Sequence, residues 1–300
     1  MPSTEATLHL AIPKGRMYQG VVDLLAEAGV RLSHGSRGYR PRVSLPGVEA
    51  KLLKPQNIVE MLAVGTRDLG FAGSDWVAEK GLDLHEVIDT GLDPVRIVVA
   101  APRDLLAAAG GALPAASPVG GPLRVASELE RLTTGWIHAK CPGARYVRTY
   151  GATEVFPPED ADVIVDVTQT GATLEANGLR IVDELMRSST KLFASRAAMA
   201  DPDKRRRIDD LRTLLASVLA GRERVMLEVN VPADRLDAVV DVLPAMRVPT
   251  IGRLHERDGA GAGYAVKAAV LRTALPTLIP QLKARGASDI IVSPVGQVVP

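Results

Sequence analysis

Strands alternating with helical stripes as far as Ala220, and the order βαββαβ after Gly221, predict an α/β protein with a ferredoxin-like C-terminal domain. A third observation places a binding loop in it. Asp166-Val-Thr-Gln-Thr-Gly-Ala-Thr-Leu174 follows the apolar run Val163-Ile-Val165 and leads into Leu174-Glu-Ala-Asn177, which can open a helix. The predicted architecture is two α/β lobes around a cleft: residues 1–100 with 191–222, then 101–190, with 223–300 forming the small domain.

The first lobe starts with a strand at Leu8 to Ile12, a turn at Pro13-Lys-Gly-Arg16, and a helix from Met17 to Ala28 with its apolar stripe at Val21, Val22, Leu24 and Leu25. Gly29 stops that helix where a C-terminal glycine belongs. Ala50 to Leu53 is a strand and Ile58 to Val64 a helix. Asp68 to Ala72 is a strand, Gly73-Ser-Asp75 a turn, Trp76 to Lys80 a helix, and Arg96 to Ala100 a strand. Such alternation predicts a mainly parallel sheet. Ala107 to Gly121, rich in Ala, Gly and Pro, marks a boundary or surface loop. The second lobe has a strand at Leu123 to Val125, a helix from Glu128 to Ala139, a strand at Tyr146-Val147, and the threonine loop. Leu192 to Ala194 reads as a strand returning to the first lobe. Asp201 caps a helix that Pro202 opens and that runs to Ala220. In the small domain, Arg224 to Val231 is a strand and Pro232 opens a helix to Leu243. Strands at Thr250 to Leu254 and Tyr264 to Leu271 follow. A helix starting near Thr277, with Pro280 in its first turn, ends at Arg285-Gly286, and Asp289 to Ser293 is the last strand.

Composition sets limits. Hydrophobic residues make up 46% and charged residues 24%, ordinary for a globular chain, and the formal net charge of +1 argues against bulk nucleic-acid or anionic-membrane binding. One cysteine, Cys141, excludes an internal disulfide and fits a reduced, cytoplasmic setting. No signal peptide or membrane span is legible. His9, His34, His85, His138 and His255 have no metal-ligand spacing, and His9 reads as a satisfied sheet residue. Gly259-Ala-Gly-Ala-Gly263 lies between strands, which favours a hairpin connection over a dinucleotide loop. Lys204-Arg-Arg-Arg207 reads as a solvated helix face more readily than as a nucleic-acid patch.

The threonine loop has the chemistry of a phosphate cradle. Backbone N–H groups at a strand-to-helix turn favour an anion, and hydroxyls add donors. Asp166 repels phosphate, so it suits a ribose hydroxyl or a magnesium ion carried by the ligand; the competing reading is an ordinary βα turn with threonine caps. Lys14 and Arg16 place two cations after the first strand, at the sheet edge where α/β ligands bind. Lys54 sits at the corresponding end of another strand. Asp75 follows a third, as a helix N-cap or as an acceptor for a base or ribose. Together they describe a cleft for two phosphorylated ligands.

These residues resemble the long form of ATP phosphoribosyltransferase, nearly end to end. Ala11-Ile-Pro-Lys-Gly-Arg16 is similar to that family's opening turn, and Val64-Gly-Thr-Arg-Asp-Leu-Gly-Phe-Ala-Gly-Ser-Asp75 to its G-x-x-D-x-G-(I/F)-x-G-x-D segment. Gly151-Ala-Thr-Glu154 with the Asp166–Leu179 stretch resembles its signature loop. Asn230-Val-Pro232, Val248-Pro-Thr250 and Gly286 to Pro294 resemble its C-terminal histidine-sensing domain. Departures are Lys54 and Asn57 where the family usually has Arg and Asp, a shorter Glu154–Asp166 link carrying Pro157-Pro158-Glu159, and Tyr264 where tryptophan is typical.

The resemblance implies a pentosyltransferase that opens histidine biosynthesis, moving phosphoribosyl from 5-phosphoribosyl diphosphate to N1 of ATP. It implies catalytic roles for Lys14, Arg16 and Asp166. Glu154, Asp166, Thr168, Thr170, Gly171, Ala172 and Thr173 would hold phosphoribosyl diphosphate, and Lys14, Arg16, Lys54 and Asp75 would hold ATP. Magnesium would come with the substrate rather than on protein ligands. Histidine would inhibit through Glu228, Thr250 and Ser288, or those three merely cap strands. A homo-oligomer, dimer to hexamer, is implied. Alternatives are a transferase of the same fold acting on another base, a solute-binding module with periplasmic-receptor-like lobes, and a silent regulatory paralogue.

Overall fold

The computed structural model describes residues 7–33, 38–255 and 263–299. The glycine run thus lies, but for Gly263, outside the described residues, as does His34. The chain divides into two compact units, one of residues up to Asp23 and Val30–Asp209, the other of Leu24–Gly29 with residues from Asp210 onward.

In the first unit the elements run β1 (Leu8–Pro13), α1 (Met17–Glu27), the short pair β2 (Leu32–Ser33) and β3 (Arg42–Val43), β4 (Val48–Leu53), α2 (Pro55–Ala63), β5 (Leu69–Gly73) and α3 (Ser74–Lys80). Then come β6 (His85–Pro102), α4 (Arg103–Ala108), β7 (Arg124–Ser127), α5 (Glu130–Lys140), β8 (Arg145–Arg148), β9 (Val163–Thr168), α6 (Ala172–Ala176), β10 (Leu179–Ala194) and α7 (Arg196–Ala200). Helix α8 (Pro202–Arg222) leads onward. Asp201 caps it, its Oδ1 accepting from the Asp203 and Lys204 amides at 3.0 and 3.1 Å.

The eight-stranded sheet has the order β4-β1-β5-β10-β6-β9-β7-β8. Parallel triplets at its two ends carry the lobes, with Ala11, Ile58, Leu62 and Phe193 in one core and Val125, Leu129, Val163 and Val165 in another. Between the triplets, β10 runs antiparallel to β5 and β6, and β6 antiparallel to β9. The sheet is therefore mixed, which corrects the expectation of a mainly parallel one. The correction lies in β6 and β10, of 18 and 16 residues, each of which belongs to both lobes. The basic run on α8 has internal partners: Lys204 Nζ lies 2.7 Å from buried Asp68, Arg206 pairs with Asp203, and Arg207 donates to the Pro46 carbonyl at 2.6 Å. His9 Nδ1 is 3.2 Å from the same Asp68, a satisfied sheet residue.

The second unit holds β11 (Arg224–Pro232), α9 (Leu236–Val240), β12 (Thr250–Arg253), β13 (Gly263–Leu271), α10 (Leu275–Ala284) and β14 (Ser288–Pro294). Its sheet order β12-β13-β11-β14 is the ferredoxin-like one. Alternation on β11 buries Val225, Leu227, Val229 and Val231 against Val239, Leu278 and Leu282, and turns Met226, Glu228 and Asn230 to the other face. Two expectations fail here. Pro232 opens a 3-10 turn (Ala233–Arg235) before the short α9, not one helix to Leu243. Helix α10 starts at Leu275 with Pro276 in its first turn, so Pro280 lies inside it. Pro280 has no N–H for the carbonyl four residues back, a loss an amphipathic helix this short absorbs by packing Leu278 and Leu282.

Buried Asp162 at the head of β9 anchors the segment that precedes it. Arg124 reaches both its carboxylate oxygens, at 2.9 and 3.2 Å, and Ser117 donates at 2.9 Å. Arg124 also donates to the carbonyls of Pro158 and Glu159. Burial pushes the Asp162 carboxyl up, but the bonds from Arg124 and Ser117 outweigh it and hold it below the usual carboxylate value. Arg124→Met therefore strands a buried charge and should cost about 3 kcal/mol at pH 7. Because the folded-state value is depressed, that stabilisation exists above the ordinary Asp value and is lost as pH falls through the lowered one. Urea denaturation should show the wild-type advantage at pH 7 shrinking toward pH 3.

Candidate functional site

The threonine loop joins β9 to α6. Gly171, at φ 88°, caps α6 in the left-handed region that a side chain resists. Its N–H donates to Thr168 Oγ1 at 2.9 Å, and the Ala172 N–H to Thr170 Oγ1 at 3.3 Å. Two threonine hydroxyls thus hold the turn open, while the first-turn N–H groups of Thr173 and Leu174 have no intrahelical acceptor. Thr168, Thr170, Ala172, Thr173, Glu154 and Asp166 line one cavity of about 370 Å³. Arg16 from the far lobe lines it too.

Glu154 lies on a 3-10 turn (Thr153–Val155) that follows Ala152, a non-glycine residue at φ 48°. A 2.8 Å hydroxyl contact between buried Thr149 and Thr153 pins this turn. Asp166 is half-buried on β9, with Oδ1 accepting from the Val167 amide at 2.7 Å. Burial pushes its carboxyl up to about 6; the Val167 amide opposes this, and the neighbouring charges of Glu154 and Glu128 add to it.

A second cavity, about 300 Å³, is lined by Lys14, Arg16, Met17, Asp75, Trp76, Asp93 and Ser188 among others. Arg16 and Val167 belong to both cavities. Lys14 Nζ sits 3.5 Å from the Tyr39 ring centroid. Neither Lys14 nor Arg16 has an ion-pair partner within 4 Å among the described residues. Asp75 is buried, and its place corrects the expectation of an N-cap: Gly73 caps α3 and Asp75 is the second helical residue. Ser188 donates to its Oδ1 at 2.5 Å and accepts from its amide at 3.0 Å. A Cβ at Gly73 would overlap the Asp75 carboxylate, so only glycine fits there. Lys54 is not in the lining; it is exposed at the N-cap of α2, next to Pro55, which does line the cavity.

The expected histidine residues are not brought together. Glu228 pairs with Lys267 at 2.8 Å, and Lys267 stands opposite Thr250. Ser288 faces Asn230 on the far edge strand, β14. From Thr250 on β12 to Ser288 is three strand spacings, about 14 Å, too far for one amino acid to touch both in this sheet. A cavity of about 630 Å³ on this face includes Thr250, Lys267 and Met226 but neither Glu228 nor Ser288.

The sequence reading missed Asp93, Ser188 and Arg96. Arg96 stands opposite Thr168, and its guanidinium comes within 4.0 Å of where a Cβ on Gly171 would be. The first two lie where β6 and β10 depart from regular pairing, so no periodic signal marks them. Among the described residues no cluster of His, Cys, Asp or Glu could hold a metal ion, and no helix is long and apolar enough to cross a membrane.

Comparison with known proteins gives first a class and then a family. Residues 54–217 match the family described as ATP phosphoribosyltransferase, and residues 221–297 its C-terminal domain; this is a class of enzymes that transfer pentosyl groups. The chain belongs to the ATP phosphoribosyltransferase family, the histidine-biosynthesis transferases, in the long form with a C-terminal domain. It is 37% identical to the ATP phosphoribosyltransferase of Pelotomaculum thermopropionicum and 38% to that of Desulforudis audaxviator, each over 98% of this chain and 99% of the relative. A chain of the HisG:HisZ ATP phosphoribosyl transferase complex from Thermotoga maritima is similar with TM-score 0.59 and 26% identity, over 70% of this chain and 98% of that one.

A carboxyl raised to about 6 is destabilising when ionised: the stability it contributes is present below the ordinary Asp value and lost as pH rises through 6. Asp166→Asn keeps the Val167 hydrogen bond and removes the charge. It should be more stable than wild type at pH 8 by on the order of 3 kcal/mol, with no gain at pH 3.5. Melting curves at the two pH values check this.

Proposed function

We propose that the protein catalyses the attack of N1 of ATP on C1 of 5-phosphoribosyl diphosphate, giving phosphoribosyl-ATP and pyrophosphate. The observation that carries the reading is two cavities meeting at Arg16, one hydroxyl-rich with two acids and one with cations that have no ion-pair partner among the described residues, beside apolar walls. Thr168, Thr170, Gly171, Ala172 and Thr173 hold the 5-phosphate. Glu154 and Asp166 take the ribose hydroxyls and favour cationic character at C1. Lys14, Arg16 and Asp75 serve the ATP, with Lys54 contributing charge at the rim.

Adenine N1 has a lone pair and no proton, so attack needs no general base, in keeping with linings that contain neither His nor Cys. Rate comes from alignment, for which effective molarities reach roughly 10⁵–10⁸ M, and from Arg16 and Lys14 meeting charge on the departing pyrophosphate. The donor set suits magnesium that arrives with the diphosphate: two carboxylates, Glu154 and Asp166, can complete its shell but cannot alone enclose it. When bound, the ion neutralises the leaving group. The lobes serve as residues 1–100 with 191–222 and 101–190, in a cytoplasmic homo-oligomer, with 223–300 regulatory.

An absorbance assay with ATP, phosphoribosyl diphosphate and magnesium tests this directly. Thr170→Ala and Thr173→Ala should each lose roughly ten- to a hundredfold in kcat/KM, because a hydrogen bond to a charged group is worth about 1.5–3 kcal/mol. Wild-type values in both would remove the loop from the site.

Histidine feedback is the regulatory part of the reading, through the second unit's cavity at Thr250. Allosteric coupling is typically about 1–3 kcal/mol, five- to 150-fold in affinity. Calorimetry on the full chain should detect histidine binding that Thr250→Ala weakens, and millimolar histidine should depress turnover. Activity indifferent to histidine would end this assignment and leave the catalytic one standing.

A further inference from the structure

We propose that Asp93 determines which base the nucleotide cavity accepts, its carboxylate receiving a hydrogen bond from the exocyclic amine of a 6-aminopurine. The inference rests on the nucleotide reading of that cavity.

Four residues, Leu92 to Val95, stand opposite three, Thr190 to Ser188, so β6 bulges and Asp93 takes φ 46°. A β-bulge re-aims a side chain, and here it directs a carboxylate into the cavity lining. Glycine adopts this conformation most easily, and aspartate is one of the few side-chain-bearing residues that tolerate it. The two acids of the cavity differ in what they have left to offer. Asp75 is buried, with one oxygen committed to a 2.5 Å bond from Ser188, so it offers the ligand mainly its other oxygen. Asp93 receives one hydroxyl, from Thr190 at 3.3 Å, and has no cation within 4 Å among the described residues. A carboxylate has four acceptor positions and no donor, so Asp93 has capacity for a donor on the ligand.

The lining decides which donor. Lys14 and Arg16 draw the phosphates. Met17, Pro55, Trp76 and Val95 offer apolar surface to a flat ring, and Asp93 stands two residues from Val95. The carboxylate closes on Gly20 of α1, where a Cβ would lie 3.9 Å from Oδ2. An exocyclic amine is a donor the carboxylate can take; a 6-oxo group presents an acceptor to an acceptor. The reaction strengthens the contact. As the N1 lone pair forms the N1–C1 bond and the C1–O bond breaks, its electrons leaving with pyrophosphate, adenine gains a positive charge shared by N1 and the 6-amine. A carboxylate at that amine stabilises the charge as it develops.

The test compares AMP with purine riboside 5′-monophosphate, which lacks only the 6-amine, by calorimetry, and the two triphosphates by turnover. The variants are Asp93→Gly, which suits the left-handed backbone, and Asp93→Asn, which keeps a weaker acceptor. Wild type should favour the amine by about ten- to a hundredfold in affinity; Asn should be intermediate, and Gly should fall to about threefold or less, with a larger loss in kcat for ATP than for its 6-unsubstituted analogue. A preference unchanged in Asp93→Gly overturns the proposal. So does a change confined to discrimination against 2′-deoxy-AMP, which would place Asp93 at the ribose. Preserved amine selectivity with ATP turnover in the variant sinks the proposal alone. A wild-type protein that forms no phosphoribosyl-ATP but shows the selectivity, lost in Gly, supports Asp93 and sinks the reaction. Binding of neither nucleotide sinks both.

Discussion

The first unit depends on one constraint, the antiparallel pairing of β6 with β10. Each strand serves both lobes, so the backbone ladder between them is the covalent and hydrogen-bonded spine on which the parallel triplets are mounted. A flawless ladder of that length would present side chains in strict alternation and leave the middle flat. Register shifts between Ser188 and Thr190, and on either side of them, break the alternation where the lobes meet. The irregularity releases Ser188 to hold Asp75 and aims Asp93 into the same cavity. Architecture and chemistry are set by the same few residues.

Much of this was legible in sequence, for reasons that also explain what was not. Short strands followed by amphipathic helices, such as β1–α1 and β4–α2, carry strong periodic signals, and Asp201-Pro202 marks a helix start by chemistry alone. The threonine loop was legible because an acid, three hydroxyls and a glycine in nine residues have few structural uses. The spine was not. Gly91 and Pro94 interrupt β6, so only Arg96 to Ala100 carries a readable strand pattern. The charged stretch from Asp183 to Lys191 has no clean period, since its bulges move residues from one face to the other. Asp75 misled for a subtler reason: an acid after Gly-Ser looks like a cap, yet the backbone is already helical at Ser74, so Gly73 is the cap. In the second unit the strands were placed well, but strand order cannot be read from local pattern. Thr250 and Ser288, expected to serve one ligand, stand on opposite edges of the real sheet.

Asp166 shows what the site costs the fold. Its strand is buried at Val163, Ile164 and Val165, and the acid follows where the core ends. Burial and two neighbouring acids resist its ionisation, and no cation among the described residues lies within 4 Å to relieve it. A core built only for stability would place an amide or a threonine there. On the proposed reaction, the missing partner is supplied from outside, either a cation travelling with a diphosphate or a ribosyl carbon gaining positive character. Arg16 is the opposite case, an exposed cation where both cavities meet, with no ion-pair partner within 4 Å among the described residues. Arg124, bonded to Asp162 and to the Glu159 carbonyl, anchors the segment between the Glu154 turn and β9.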